Sequence, residues 1–379
     1  MDTFADLPDA LVRDLLAKAL PIAGSVLQNV EALRVQKGAL RADALCQKLI
    51  LRKADLDVVR EPSVVGVDGS YQIHHLTALD LAAAAAVAVE GTAKEAQRFW
   101  PQPYHQMWAE SVRHSLNVVG PLRGLMVSME LGLAQKAPHD LVLLDGSFSS
   151  LVIYLNQGLT SLPECPSLLC AEFLNKWNSG LLTGLATLLK SDRTVALPKF
   201  TARNELVKEL SNPPSVEIDG KTLATLLLEP GEYTRPLPIL QPGETYHLAP
   251  TVTIAGHAAS LRTDTEEKDL NARLKDLRVI YFRPYGWIPA LRLEVTGAIA
   301  SSNSKTSTVL EGITRQFFSP AVMEPYPLFL ADRMVKSLGS GVSVIEQAVA
   351  QQVAGSSTDV ETSMLFLQNY RTEGGRGGV

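Results

Sequence analysis

Two hydrophobic runs in this chain end in the same three residues, Asp-Gly-Ser, and this repeat constrains the fold more than any other feature. The first run, residues 64–67, leads into Asp68, and the second, residues 141–144, leads into Asp145. Short apolar runs indicate buried strands, and Asp-Gly-Ser is typical of a turn. We therefore predict two strands that each end at an aspartate, with residues 71–79 returning as the next strand.

The rest of the chain alternates between helical and strand-like patterns. Apolar residues recur at helical spacing through residues 5–52 and after Pro121, whereas residues 81–89 are ambiguous because alanine favours a helix and the flanks suit a strand. Loops with short strands are expected over residues 211–250. Further strands are predicted at 194–197, 278–282 and 291–295, and further helices at 168–190, 202–210, 306–318, 327–337 and 342–353. This order predicts an α/β fold in which helices flank a mixed β-sheet, with an N-terminal helical extension.

The composition limits the class of protein. Hydrophobic residues make up 46% of the 379 residues and charged residues 20%, so the chain can bury a sizeable core. It has no apolar run of eighteen residues, no positively charged N-terminal region and three cysteines without metal-site spacing, which together indicate a cytoplasmic protein with reduced thiols and no membrane contact. The net charge of −5 argues only weakly against nucleic-acid binding, since phosphate contacts need only a local basic surface.

The two aspartates indicate a candidate site. Ligands gather at strand ends in α/β sheets, and two carboxylates on neighbouring strands repel each other unless a cation lies between them. Mg²⁺ and Mn²⁺ prefer oxygen ligands, and two such ions about 4 Å apart promote phosphodiester cleavage. Glu130, fifteen residues before Asp145 on the preceding predicted helix, is a third candidate ligand. The alternative is that both Asp-Gly pairs are ordinary turns, and spacing alone does not decide between the two interpretations.

Three other groups of residues suggest chemistry, and each has a simpler interpretation. Lys199 follows a predicted strand, where it either holds a phosphate or is merely solvated. His74 and His75 are adjacent on a predicted strand and point to opposite faces, which argues against a shared zinc ion. Basic and aromatic residues mix over residues 262–292, which suits either a nucleic-acid surface or a solvated helix before a core strand, and we prefer the second interpretation.

These motifs resemble those of the NurA nuclease family. The resemblance covers roughly residues 60–340 and is clearest at the two Asp-Gly-Ser motifs, with Glu130 before the second, and at residues 194–199, which resemble a strand that ends in a lysine. Residues 281–284 and 291–294 resemble paired strands near the family's end, and residues 325–332 its last motif. The resemblance implies an RNase H-like fold with four metal ligands and two further catalytic residues: Asp68, Glu130, Asp145 and Asp332, and then Lys199 and Tyr326.

The last motif departs from the family pattern. Many members carry a histidine at or just after the position of Asp332, whereas all seven histidines of this chain lie at or before His257. Asp332 still suits a metal ligand, but the general acid is left open. Tyr326 either bonds a phosphate or a nucleophilic water, or simply packs before the predicted helix.

The resemblance implies a deoxyribonuclease that depends on Mn²⁺ or Mg²⁺ and acts as a 5′–3′ exonuclease, a single-strand endonuclease, or both. It also implies a homodimer that binds single-stranded or double-stranded DNA ends and works with a HerA-like hexameric ATPase, in DNA repair or antiviral defence. The expected organisation is a helical segment (1–55), the nuclease domain (60–340), C-terminal helices (341–371) and a disordered tail (372–379). The alternatives are a non-catalytic adaptor of a HerA complex and a kinase- or actin-like phosphotransferase, which needs further Gly-rich phosphate segments that this sequence lacks.

Overall fold

The structure, a computed structural model, describes residues 7–92, 98–239, 243–254 and 257–368. The predicted disordered tail, residues 372–379, lies outside these ranges, as do residues 5–6 of the predicted N-terminal helical region. Within the described ranges, no helix is long and apolar enough to cross a membrane.

A large mixed β-sheet forms the centre of the described chain. The strands are β1 (Ile50–Arg52), β2 (Val64–His75), β3 (Asp80–Glu90), β4 (Tyr104–Val112), β5 (Leu141–Asp145), β6 (Thr194–Leu197), β7 (Glu232–Thr234), β8 (Leu237–Pro238), β9 (Thr251–Ile254), β10 (His257–Ser260), β11 (Arg278–Arg283) and β12 (Leu291–Val295). The sheet has the order β1-β7-β11-β12-β6-β5-β2-β3-β4, with β8 paired to β11, while β9 and β10 form a separate hairpin. Its centre, β2, β5 and β6, is parallel, and the flanking pairs are antiparallel.

Helices cover both faces of this sheet and precede it. They are α1 (Asp9–Ala17), α2 (Ala19–Cys46), α3 (Val119–Lys136), α4 (Phe148–Ser161), α5 (Ser167–Lys176), α6 (Leu182–Leu188), α7 (Glu205–Lys208), α8 (Gly220–Leu227), α9 (Asp264–Asp276), α10 (Gly297–Ala300), α11 (Asn303–Thr314), α12 (Tyr326–Lys336), α13 (Leu338–Ser356) and α14 (Val360–Leu367). The predicted α/β class, with flanking helices and an N-terminal helical extension, is confirmed.

Side chains of the central strands alternate between two apolar cores, as the pleat of a strand requires. Val65 and Val67 of β2 join the core that contains α3, whereas Val64 joins the core that contains α11 and α12. This alternation holds α3 against one face of β2 and α12 against the other. The two helices are thereby placed on opposite sides of the strand that carries Asp68.

The prediction that β2 ends in a turn at Asp68 is wrong. The strand continues to His75, and its residues 65–75 pair with residues 80–90 of β3. Only the parallel pairing with β5 stops here, after Val67 pairs with Leu144. The long antiparallel hairpin overrides the local turn preference of Asp-Gly, because each added pair contributes hydrogen bonds and side-chain contacts that the turn would forfeit.

The tertiary structure also changes or decides other sequence interpretations. Residues 71–79 are not a returning strand, because β2 ends at His75 and the return begins at Asp80. The ambiguous alanine-rich residues 81–89 lie within β3, between β2 and β4, where pairing on both sides outweighs helix propensity. The helix predicted at 202–210 is reduced to Glu205–Lys208, and the predicted loop region 211–250 contains the helix Gly220–Leu227.

Candidate active site

The parallel strands bring the two motif aspartates together. Val67 of β2 pairs with Leu144 of β5, so Asp68 and Asp145, which follow them, lie side by side on neighbouring strands. Asp145 in turn pairs with Leu197, the last residue of β6, and Lys199 follows two residues later. The edge at which the parallel pairing stops therefore carries an aspartate, a second aspartate and a lysine.

Asp332 reaches the same edge from α12, which packs on the face of β2 opposite α3. A Cβ added at Gly66 of β2 would lie 2.6 Å from both the Leu328 nitrogen and the Pro327 carbonyl carbon, so the backbone of α12 rests directly on this glycine. This close approach seats the first turn of α12 on β2. Asp332 then lies one turn further along the helix, beside the two strand aspartates.

The three aspartates form one cluster. One carboxylate oxygen from each of Asp68, Asp145 and Asp332 lies within 4.8 Å of the other two. Asp68 is buried, at 7% exposed, whereas Asp145 and Asp332 are half-buried. Three acidic groups at this separation repel one another strongly in a partly dry site.

Lys199 supplies a positive charge among these carboxylates. Its Nζ atom lies 3.0 Å from Asp145 Oδ2 and 2.9 Å from Asp332 Oδ1. Burial by itself lowers the pKa of Lys199, but attraction to Asp145, to Asp332 and to Glu324 outweighs burial and raises the pKa above its ordinary value. Lys199 is therefore a firmly charged ammonium group at the position where a cation is needed.

Glu324 is a member of the site that the sequence analysis missed. It lies just before α12, and its Oε2 atom is 3.1 Å from Lys199 Nζ, although it lacks the alignment of a hydrogen bond to any described residue. Burial raises the pKa of Glu324, and Lys199 opposes that rise. In the sequence, Glu324 could have been recognised by its position directly before the motif at residues 325–332.

Glu130 adjoins the cluster across Gly69. It lies on α3, which is buried on several faces, and it is only 8% exposed. A Cβ at Gly69 would lie 2.5 Å from Glu130 Oε1, so the glycine of the first motif provides space for this carboxylate rather than making a turn. The structure thus brings Glu130 next to Asp68, although it is not one of the three closest carboxylates.

Burial and mutual repulsion perturb the acid groups of the site. Burial, followed by repulsion from Asp145, raises the pKa of Asp68 to about 7, and Lys199 only partly offsets this. Burial also raises the pKa of Glu130 well above its ordinary value, with Asp68 and Asp145 adding to the effect. Asp332 differs, because the ammonium groups of Lys336 and Lys199 outweigh its burial and lower its pKa. Such concentrated perturbation is typical of a functional site.

Tyr326 lies at the start of α12 but makes other contacts. Its ring packs edge-on against Phe318 and stacks at 6.4 Å from Phe329. Among the residues that the structure describes, its hydroxyl forms no hydrogen bond with the carboxylates. Its catalytic role therefore stays a prediction, and the packing alternative has direct support.

The carboxylates line an open cavity of about 650 Å³. Lys199, Phe200 and Arg203 form part of its wall, and Arg203 pairs with Glu244 at 3.2 Å. Phe200 is 94% exposed and also lines a neighbouring cavity of about 330 Å³. On the side of β6, the acidic centre is therefore bordered by the basic groups of Lys199 and Arg203 and by the exposed ring of Phe200.

A buried ion-pair network supports the cavity wall. Arg292 of β12 donates to both Glu205 and Glu294, and Glu294 accepts the hydroxyl of Ser147 and the backbone N–H of Phe148. The Asp-Gly-Ser motif at 145–147 is thereby fixed to β12, which lies two strands away from β5 in the sheet, and Ser147 also caps α4. The neighbouring residues Tyr281 and Phe282 are fully buried, which confirms the preferred interpretation of residues 262–292 as a helix followed by a core strand.

The donor set fits a divalent cation. Asp68, Asp145 and Asp332 offer oxygen atoms only, which is the chemistry that Mg²⁺ and Mn²⁺ prefer. The ion pairs of Lys199 and Lys336 reach Asp145 and Asp332, whereas Asp68 forms no ion pair among the described residues. The two positive charges of a divalent metal ion would reduce the repulsion among the carboxylates of Asp68, Asp145 and Asp332.

The fold and the site together define a mixed α/β protein with an acidic, metal-compatible centre where its parallel strands end. The family model of the NurA domain matches residues 62–337, which is more than half of the chain. The chain belongs to the NurA family, as the motifs predicted.

Solved structures agree with this assignment. The chain is 12% identical to the NurA nuclease from Sulfolobus solfataricus, with a TM-score of 0.59 over 91% of this chain and 98% of that one. A structure of NurA with manganese is 11% identical, with a TM-score of 0.50 over 88% of this chain and 99% of that one. At these identities the likeness concerns the fold. No curated protein sequence shows significant similarity to the chain.

Proposed function

We propose that the chain is a metal-dependent deoxyribonuclease that hydrolyses phosphodiester bonds at DNA ends. The convergence of Asp68, Asp145 and Asp332 from two strands and a helix, with Lys199 among them, is the observation that carries this proposal. The related solved structures described as NurA nuclease and as NurA with manganese support both the activity and the cofactor class. The kinase-like alternative gains no support from the family match.

The three aspartates would hold Mn²⁺ or Mg²⁺, with Glu130 as a further ligand or as a positioning group behind Asp68. A divalent ion held here would supply Lewis-acid activation of water and would neutralise charge on the phosphate, and the proposal includes a mechanism that uses two such ions. No histidine lies in the last motif, so protonation of the leaving oxygen falls to solvent or to a neighbouring carboxyl group.

Lys199 and Phe200 would contact the substrate. Once a metal ion neutralises the carboxylates, the Lys199 ammonium group is free to bind a non-bridging phosphate oxygen. Phe200 is almost fully exposed between two cavities, where its ring can stack on an unpaired base. These two contacts favour a frayed or single-stranded end, which agrees with an exonuclease or single-strand endonuclease.

The N-terminal helices support a protein–protein interface. Large apolar side chains of α1 and α2 are exposed, which is unusual for an isolated surface. A homodimer and a complex with a HerA-like ATPase in the cytoplasm, in DNA repair or antiviral defence, are the assemblies that we propose. The exposed residues include Leu11, Leu15, Leu16, Leu20, Ile22, Val26, Leu27 and Val30.

A nuclease assay tests the proposal. Purified protein is incubated with labelled linear duplex and single-stranded DNA in Mn²⁺, Mg²⁺ or EDTA, with and without a HerA-like ATPase. We expect degradation only with a divalent ion, and a loss of at least about 100-fold in Asp145→Asn, which keeps the shape of the side chain but removes a ligand charge. Asp192→Asn is the matched control, because Asp192 is exposed and pairs with Lys305 instead.

The results separate the candidate functions. Degradation that persists in Asp145→Asn and in Asp68→Asn would refute the site. No degradation under any metal condition, with the ATPase present, would favour the non-catalytic adaptor. Light scattering of the wild-type chain and of Leu16→Glu measures the proposed dimer separately from activity.

A further inference from the structure

A second cluster of metal-ligating side chains lies at the far end of the β2–β3 hairpin. His75 ends β2 and pairs across the strands with Asp80, the first residue of β3. Asp80 also pairs with Val112, the last residue of β4, and His114 follows two residues later. His75 is seven residues beyond Asp68 on the same strand, roughly 23 Å away at the usual rise, so this cluster is separate from the carboxylate centre.

The geometry of this cluster is convergent. His75 Nδ1 lies 2.6 Å and His114 Nδ1 2.8 Å from the same atom, Asp80 Oδ1. One ligand atom from each residue lies within 4.8 Å of the other two. Asp80 is 1% exposed, whereas the two histidine side chains are 69% and 47% exposed. A buried carboxylate thus forms the base of a site whose two imidazoles remain open to solvent.

We infer that His75, Asp80 and His114 bind one Zn²⁺ ion, or a similar borderline transition-metal ion, with the fourth position left to water. Two imidazole nitrogens and one carboxylate oxygen are a ligand set that zinc accepts, whereas Mg²⁺ and Mn²⁺ prefer the all-oxygen set of the carboxylate centre. Ligand chemistry therefore separates the two sites. This inference does not depend on the proposed nuclease activity.

The hydrogen bonds of His114 prepare it as a ligand. Its Nε2 atom lies 3.3 Å from the carbonyl oxygen of Thr77, so an Nε2–H donates to that carbonyl. When Nε2 carries the proton, Nδ1 is the nitrogen that is free to bind a metal ion, as in many metal sites where a backbone carbonyl orients the ring. The Thr77 carbonyl is held in position, because the backbone N–H and the side-chain hydroxyl of Thr77 both donate to the carbonyl oxygen of Gln368.

Metal binding requires only a small movement. With bonds of about 2.1 Å in a tetrahedral site, neighbouring ligand atoms lie roughly 3.4 Å apart, which is somewhat more than the hydrogen-bonded distances here. The exposed imidazoles of His75 and His114 are free to move outward, while the buried Asp80 stays in place. The ion would replace the protons that now lie between each imidazole and the carboxylate, and these protons would pass to solvent.

His74 stays outside this site. Its Nδ1 atom lies 3.1 Å from Glu346 of α13, whereas His75 pairs with Asp80. The two adjacent histidines therefore have different partners, Glu346 for His74 and Asp80 for His75. The other members of the cluster come from β3 and from the segment that follows β4, which sequence spacing does not reveal.

Metal binding to the full-length protein tests the inference. Chelator-stripped protein is titrated with Zn²⁺ by calorimetry in excess Mg²⁺. A separate metal-free sample receives Co²⁺, whose visible absorption reports nitrogen ligands in a tetrahedral site and which added Zn²⁺ should displace. The variants are His75→Gln with His114→Gln, and His105→Gln as the matched control, since His105 is an exposed histidine on β4. We expect the double variant to bind one Zn²⁺ fewer than the wild type and to lose the Co²⁺ absorption.

The controls separate this site from the carboxylate centre. Asp145→Asn and His105→Gln should keep the Zn²⁺ ion, and the double histidine variant should keep its circular dichroism spectrum and any Mn²⁺-dependent cleavage. Equal Zn²⁺ binding in the double variant and the wild type would overturn the inference, as would Zn²⁺ binding that Asp145→Asn alone removes. Failure to bind any Zn²⁺ would leave His75 and His114 as hydrogen-bond partners of Asp80 only and would also overturn it.

Discussion

Asp68→Asn should stabilise the metal-free protein at the expense of metal binding. The substitution keeps the side-chain shape, and the amide oxygen can still accept the hydrogen bond that Gly69 N–H donates to Asp68 Oδ1 at 2.8 Å. It removes the negative charge that burial and Asp145 disfavour. Under the proposed function, a carboxylate placed to bind a metal ion is in this sense a source of instability when no metal is present.

The size of the effect follows from the pKa of Asp68. A carboxyl group whose pKa rises from 3.8 in the unfolded chain to about 7 in the folded protein costs about 4 kcal/mol in its charged form. Because the folded pKa is the higher one, the contribution of Asp68 to the free energy of unfolding falls as pH rises from about 4 to about 7 and is constant above that. Rearrangement of Lys199 and entry of water reduce the cost, so we expect Asp68→Asn to gain about 2 kcal/mol at pH 8.

Urea denaturation in EDTA measures this gain. Wild type, Asp68→Asn and the control Asp192→Asn are compared at pH 5 and pH 8, and again at pH 8 with saturating Mn²⁺. The free energy of unfolding of the variant should exceed that of the wild type at pH 8 in EDTA. It should be closer to the wild-type value at pH 5, and it should rise less when Mn²⁺ is added. A variant that is less stable than the wild type at pH 8 in EDTA, with an unchanged pH dependence, would refute the electrostatic reasoning.

Three further substitutions test how the site is built. Gly69→Ala would place a Cβ 2.5 Å from Glu130 Oε1, so we expect cleavage to fall at least about tenfold with little change in the urea midpoint of unfolding; unchanged cleavage would contradict the role of this glycine. Gly66→Ala would press on the backbone at Leu328. Calorimetry should show that the free energy of unfolding falls by about 2 kcal/mol or more, and Mn²⁺ should bind more weakly because α12 moves. A stable variant with normal Mn²⁺ affinity would show that α12 is not seated there. Lys199→Met should raise Mn²⁺ affinity by titration, because the ammonium group no longer competes for the carboxylates, and should still slow cleavage; weaker Mn²⁺ binding would show that Lys199 supports the metal ion instead.

The local sequence pattern was sufficient to predict the strands that pair in parallel. The apolar runs before Asp68 and Asp145 are buried strands, and the two aspartates do lie side by side. The pattern works here because a strand segment that pairs in parallel is covered on both faces and must be continuously apolar, so the end of the parallel pairing is visible in the sequence. The helix that carries Glu130 was predictable for a similar reason, since its apolar residues recur at helical spacing.

Local pattern failed where a distant partner decides the conformation. Asp68-Gly69-Ser70 has the composition of a turn, yet pairing with β3 keeps it extended, and Gly69 is needed because Glu130 lies against it. The alanine-rich residues 81–89 became a strand for the same reason, since β2 and β4 flank them. Neither partner can be identified from the neighbouring residues in the chain.

The sequence by itself therefore determined that this chain has an α/β fold in which two buried strands lead into aspartates, whereas the pairing of those strands came from the structure. Only the tertiary structure decided that Lys199 and Glu324 join them and that His75 shares Asp80 with His114. The physical reason is that strand and helix formation depend on periodic burial over a few residues, which the sequence displays directly. A site depends on side chains from distant segments meeting at ångström distances, which only the packing of those segments determines.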